Sequence, residues 1–216
     1  MKSRILSVLL SIVLALFAIS GSIAVPIICR PFYYMHIRAL DLPEETGWSA
    51  EEIRGAYDDV MNYLLRGDPF GTGTLRWSAS GKSHFADVKV LFRLDLRVLA
   101  ASAVALVILL LILKRSPAHR FAGRGPSFWA GAGMLLFLAM IGVLGALDFD
   151  RAFVLFHSIF FPGKTNWLFD PNTDQIIQIL PEVYFRNCAI LALVLMLACA
   201  ALDLALGRQR RSAGCK

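Results

Sequence analysis

Long uncharged apolar runs are the feature that most limits what this 216-residue chain can become. A membrane-crossing helix needs about 20 mainly apolar residues. Residues 5–28, 98–113, 128–147 and 187–202 carry no Asp, Glu, Lys or Arg. The second run lies between Arg97 and Lys114, whose long side chains lengthen it by reaching toward water. Hydrocarbon offers backbone N–H and C=O groups no water, so each run must close its hydrogen bonds as a helix. The expectation is an all-α membrane protein, a single membrane domain of residues 1–216. Its four spans lie at about 5–28, 98–114, 128–147 and 187–206. The first run exceeds the hydrophobic stretch of a secretory signal, about 7–15 residues. It is therefore read as a retained span, although Ala18-Ile19-Ser20 has the form of a cleavage triplet.

Charge placement sets the expected orientation. Lys2 and Arg4, the loop at 114–127 with Lys114, Arg115, Arg120 and Arg124, and the tail with Arg208, Arg210, Arg211 and Lys216 hold ten basic residues and no acidic one. The segments 30–97 and 148–186 hold 12 basic and 15 acidic residues. Basic residues stay cytoplasmic, so both termini point inward and the two long segments face outward. The net charge of +6 is thus a topology signal; interleaved with spans, it makes no nucleic-acid surface.

The outer segments read as partly helical caps over the bundle. Ser49-Ala-Glu-Glu52 has the form of a capping box. Ile53, Tyr57, Val60, Met61 and Leu64 then fall on one helical face. Gly67-Asp68-Pro69 and Gly71-Thr72-Gly73 end that helix, and Thr72 to Ser78 is read as a short hairpin arm. Ser83 is read as the cap of a helix that carries His84, Asp87 and Leu91 on one face into the second span. Residues 148–161 are apolar but too short to cross, so they read as an interfacial helix bearing His157. Asn172 or Thr173 is expected to cap a short helix over 174–180. Trp167, Phe169, Tyr184 and Phe185 are expected in the headgroup layer. Gly131, Gly133, Gly142 and Gly145 suggest close helix packing in the third span. Asp203 is expected to reach toward Arg208.

Imidazole is the side chain best suited to proton transfer near neutral pH. Of four histidines, His84 and His157 stand out, each in a short helical stretch of a different outer segment; His36 and His119 read as an interfacial aromatic and part of a basic loop. Ser158, beside His157, is a second nucleophile candidate. No G-x-S-x-G, P-loop or G-x-G-x-x-G motif occurs. Asp170-x-Asn172-x-Asp174 imitates the start of a calcium loop but has Gln175 where that loop needs glycine. Three function classes remain: an enzyme using the two histidines as an acid–base pair, a non-catalytic adaptor binding a protein through its outer segments, and a metal-dependent membrane hydrolase using the histidines with Asp87, Asp170 or Asp174.

Two motifs separate these classes. Phe156-His157-x-Ile159-Phe160-Phe161, Asn166-Trp167-x-Phe169-Asp170-Pro171-x-Thr173-Asp174-x-Ile176-Ile177 and Pro181-Glu182, together with His84-x-x-Asp87-Val88-Lys89, resemble the four-helix membrane family of lipoprotein intramolecular transacylases. That family often has an acidic residue just before its first histidine; Ser78 to Ser83 here has none. The resemblance implies an acyl shift at the outer face of the cytoplasmic (inner) membrane, with no cofactor and no metal. The substrate it implies is a diacylglyceryl lipoprotein held among membrane lipids, with no nucleic-acid partner. It implies His84 and His157 as the catalytic pair. Asp87, Asn166, Trp167, Asp170 and Asp174 become substrate-binding or supporting candidates. The lipid chains would need a cavity beside the pair, open sideways to the bilayer.

Overall fold

A computed structural model describes residues 2–114, 118–145 and 149–208, with side chains for 3–114, 118–140 and 149–208. The expected features at Arg115, Leu147, Asp148, Arg210, Arg211 and Lys216, and the side chains of Lys2, Gly142 and Gly145, lie outside what is described. The described residues are all-α: α1 (Lys2–Ile28), α2 (Arg30–Ala39), α3 (Leu42–Thr46), α4 (Ala50–Leu65), α5 (Ala79–Leu113), α6 (Pro126–Gly145), α7 (Phe149–Phe160), α8 (Ile176–Ile179) and α9 (Glu182–Arg208). They form two compact units. One, the span unit, comprises residues 1–23, 96–144 and 191–216; the other, the histidine unit, comprises 24–95 and 145–190.

Among the described residues three helices are long and apolar enough to cross a membrane: Ser3–Ile28, Ala79–Leu113 and Glu182–Arg208. α5 has 35 residues. At 1.5 Å per residue that is about 52 Å, against roughly 30 Å of hydrocarbon. Its uncharged part, 98–113, covers about 24 Å, so a crossing needs only a few flanking residues more and leaves most of 79–97 over. α6 is a further apolar helix of 20 residues.

In the span unit the large apolar side chains point outward. Ile5, Val104, Leu136 and Val194 are all more than half exposed, as expected where lipid is the solvent. Its contacts combine small residues with a few large ones. Ala18, Met134 and Ala200 pack together, as do Leu138, Ala192 and Met196. A Cβ on Gly131 would stand 2.6 Å from the Ala200 carbonyl oxygen, so glycine lets α6 and α9 touch backbone to backbone. Gly133 faces open space and has no such role. Asp203 is buried, and among the described residues no ion pair joins it to Arg208. Five residues apart on a helix, the two are about 140° apart, so the expected contact cannot form.

The histidine unit has an aromatic core of the soluble kind. Ser49 caps α4: its Oγ accepts from the Glu52 N–H at 3.2 Å, and Glu52 accepts in return from the Ser49 N–H at 2.9 Å. Ile53, Tyr57, Val60, Met61 and Leu64 are buried on the expected face. Tyr33 stacks on Tyr57 at 3.8 Å and donates its hydroxyl to the Ile179 carbonyl at 2.7 Å. Arg30 donates to Asp58 and Asn62, while Tyr34 donates to the same Asp58 oxygen. His36 lies inside this core rather than at an interface, bonded to the Phe32 carbonyl and to Asn187.

Several local expectations are corrected. Thr72 to Ser78 forms turns and coil with no hairpin; its partner is the 170s segment, through Gln175 N–H to the Arg76 carbonyl and Arg76 N–H to the Gln175 side chain. α5 begins at Ala79, before Ser83, because Ser78 Oγ accepts from the Gly81 N–H and outcompetes the later hydroxyl. α8 covers only Ile176–Ile179 and has no side-chain cap; Thr173 bonds back to Asp170 instead. Tyr184 is buried in the aromatic core, with Phe169 and Phe185 packed on it, so they do not form a headgroup belt.

Candidate active site

α5 and α7 bring the two histidines together. His84 lies in the second turn of α5 and His157 in the last turn of α7, where Pro162 and the left-handed Gly163 (φ 72°) stop the helix. Their ring centroids are 5.8 Å apart. The two residues are 5% and 6% exposed. Aromatic side chains surround them. Phe161 and Phe169 stand edge-on to His84 at 5.0 and 5.4 Å, and Trp167 stacks on His157 at 4.6 Å. Phe153, one turn earlier on α7, lies 4.1 Å from the His157 ring. The periodicity of the two helices explains the placement, since each histidine is on the face that its helix turns toward this core.

The surroundings fix protonation. The Phe153 carbonyl, 2.8 Å from His157 Nδ1, can only accept. Nδ1 therefore carries the hydrogen, and Nε2 keeps a lone pair. Burial lowers the His157 pKa below its usual value, against the opposing pull of that carbonyl. Burial and then the neighbouring His157 lower that of His84 to about 4, although Asp87 pulls the other way. Both rings are thus neutral at pH 7. His84 Nδ1 is buried with no hydrogen-bond partner among the described residues.

Asp87 stands one helical turn from His84 but does not bond Nδ1 of that ring. It accepts from Lys164 Nζ at 2.5 Å and from Asn166 Nδ2 at 3.0 Å. Burial alone would raise its pKa; the Lys164 and Asn166 hydrogen bonds outweigh this and hold the carboxyl below the usual range. Asn166 also donates to Ser83 Oγ at 3.3 Å. Trp167 thus touches His157 directly, while Asn166 reaches Asp87 and Ser83.

Asp174 and Asp170 play other parts. Asp174 is buried and accepts from the Ser78 N–H and Oγ at 2.8 and 2.7 Å, which pins the start of α5. A carboxylate at a helix N-terminus is favoured by the exposed amides and the helix dipole. Gly81 leaves room for it, because a Cβ there would run into the Asp174 carboxylate. Asp170 is exposed and closes a turn onto Asn172. Ser158 is exposed and gives its hydroxyl to the Leu155 carbonyl. Among the described residues no three His, Cys, Asp or Glu side chains gather to hold a metal, so the hydrolase reading lacks a donor set.

Lys164 was not singled out from sequence, and Ser83 and Phe161 were given no part in the site. Lys164 had a usable signal: it is the only Lys or Arg between Arg151 and Arg186. Grooves of about 540 Å³ (Thr74 to Ser78 with Asn172 and Thr173) and about 370 Å³ (along α7) include neither histidine. The aromatic rings close over the pair.

Comparison with known proteins bears on the family and the fold. No curated relative matches. Among solved structures, the membrane-integral lipoprotein intramolecular transacylase Lit from Bacillus cereus superposes with a TM-score of 0.86 and 26% identity, over 96% of this chain and 94% of that one. Two variants of the Bacillus cereus protein, with a histidine replaced by arginine or by alanine, give TM-scores of 0.80 at 25% identity. They cover 96% of this chain and 91% and 92% of theirs. Residues 8–185 match the family described as lipoprotein intramolecular transacylase Lit. The chain therefore belongs to the Lit family of lipoprotein intramolecular transacylases, which are membrane-integral acyltransferases.

Proposed function

We propose that this protein moves the sn-2 acyl chain of a diacylglyceryl lipoprotein to the α-amino group of that lipoprotein's N-terminal cysteine. The product is the lyso form, N-acylated and carrying a monoacylglyceryl thioether. We place the reaction at the extracytoplasmic face of the inner membrane. α6 serves as the fourth span and both termini lie in the cytoplasm, a reading supported by the distribution of basic residues. The observation that carries the proposal is the meeting of two neutral imidazoles, 5.8 Å apart, from distant parts of the chain.

The steps follow from the protonation states. The neutral α-amine attacks the ester carbonyl carbon and a C–N bond forms. His157 Nε2, unprotonated, takes a proton from that nitrogen. Negative charge builds on the former carbonyl oxygen, where the N–H of neutral His84 donates to it. The tetrahedral centre collapses, the C–O bond to glycerol breaks, and His157 returns the proton to the leaving oxygen. Both rings end as they began. An ester has become an amide, which is downhill, so the balance needs no nucleotide or redox cofactor. Folding the amine onto its own ester is the main task, and orientation of this kind is worth up to roughly 7–11 kcal/mol. The aromatic shell excludes water, which would otherwise compete with the amine for the ester.

The test is expression in a host whose lipoproteins lack N-acylation, followed by mass spectrometry of N-terminal lipopeptides. The wild-type chain should yield lyso-form lipopeptide. H84A and H157A should each insert in the membrane and yield none. Undiminished product from either variant would overturn the assignment.

A further inference from the structure

Asn166 ends in a buried atom that the steps above do not use. Among the described residues its Oδ1 has no hydrogen-bond partner, whereas its Nδ2 has two, Asp87 Oδ2 at 3.0 Å and Ser83 Oγ at 3.3 Å. The amide orientation follows from chemistry. Asp87 is ion-paired with Lys164, so its carboxylate can only accept. The group facing it must be the NH₂, and the group left over must be the carbonyl. A buried acceptor with no donor is costly and is seldom left so.

The missing partner must bring an N–H or O–H. Acyl chains and the thioether offer none, and ester oxygens only accept. The α-amine is the donor that lies beside the reacting ester. We propose that Asn166 Oδ1 accepts an N–H of the α-amino group of the substrate cysteine and so holds the nitrogen lone pair toward the ester carbonyl. This rests on the transacylase reading and adds a substrate-positioning contact to it. A neutral amide suits the task better than a carboxylate, which would favour the unreactive ammonium. Lys164 offsets the carboxylate that Asn166 bonds, Asp87. The contact also survives the reaction. Of the two hydrogens on the neutral amine, one leaves through His157; the other stays on nitrogen and becomes the amide N–H of the product.

The experiment uses the full-length protein in lipid bilayers and two unreactive lipopeptides with an ether in place of the sn-2 ester. One keeps the α-amine and the other has hydrogen there; both keep their peptide N–H groups. Binding is measured at pH 9, where the amine is neutral. Wild type should prefer the amine probe by about tenfold or more. In N166A and N166S the preference should fall toward one, while S83A, which removes only an Nδ2 partner, should retain it. Each ratio is taken within one protein, so a general weakening cancels. Preference that persists in both Asn166 variants, a wild type indifferent to the amine, or variants that bind neither probe would each overturn the inference. Turnover of the ester substrate by the same wild-type preparation separates the two layers. Without lyso-form product the transacylase reading fails; with product but an unmoved preference, only the role of Asn166 fails.

Discussion

The span unit and the histidine unit are built by opposite rules. In the first, large apolar side chains such as Leu136 and Val104 face outward, and Ala18, Ala200 and Gly131 make the contacts. In the second, Tyr33, Ile53 and Ile179 are fully buried, and polar groups such as Asp58 and Asp174 are held by several donors. Lipid is as apolar as leucine, so helices in it gain nothing by hiding leucine and pack through small residues. Water rewards burial at about 25 cal/mol per Å², so the other unit gathers its aromatic side chains. The histidines are placed in the second environment, where a dry aromatic shell keeps imidazole neutral.

Substitutions should separate the two sets of rules. The largest effect belongs to the site: H157A and H84A should each cut the rate of acyl transfer by about 10²–10⁴-fold, read with purified protein. Next is the aromatic core, where I179A should cost about 2–5 kcal/mol, seen as a lowered thermal midpoint. D174A should cost about 1–3 kcal/mol, because the start of α5 loses its buried acceptor. K164A breaks a half-exposed ion pair and should cost no more than about 1 kcal/mol. V104A, on the lipid-facing surface, should leave the midpoint nearly unchanged. A large loss at Val104 with little at Ile179 would invert the comparison.

The pH dependence sharpens it. With His84 at about 4 and His157 also below its usual value, both rings are neutral above about pH 6.5. What remains to deprotonate is the substrate amine, about 7.7–8.0 when free. kcat/KM should therefore fall with acid through that range, and the limb should move when the amine pKa of the substrate is changed. A limb near 6.5 that ignores the substrate would contradict the neutral-pair geometry. The sign for stability follows as well. Below about 6.5 the unfolded chain binds a proton that folded His84 refuses until about 4. Stability is full above 6.5 and declines as the pH falls toward 4. H84F should flatten that decline.

What the sequence revealed tracks how local the cause is. Three of the four apolar runs, the Ser49–Glu52 capping box and the buried face of α4 are set within a turn or two, and the structure has them as helices long enough to cross and as the capped, half-buried helix expected. The meeting of His84 and His157 was legible only through the resemblance, since spacing alone left it open. The features missed depend on partners far along the chain. α5 starts early because Asp174 reaches Ser78 from 96 residues away. Lys164 matters because it meets Asp87, 77 residues distant. Phe169 and Tyr184 look like interfacial aromatics until the fold supplies a core for them.

The most direct test follows one acyl chain. Purified protein is given a diacylglyceryl lipopeptide labelled isotopically on the sn-2 chain alone, and the product is fragmented by mass spectrometry. The account predicts the label on the α-amine of the cysteine with wild type, and none there with H84A or H157A. Label released as free fatty acid, or full transfer by either histidine variant, would contradict it.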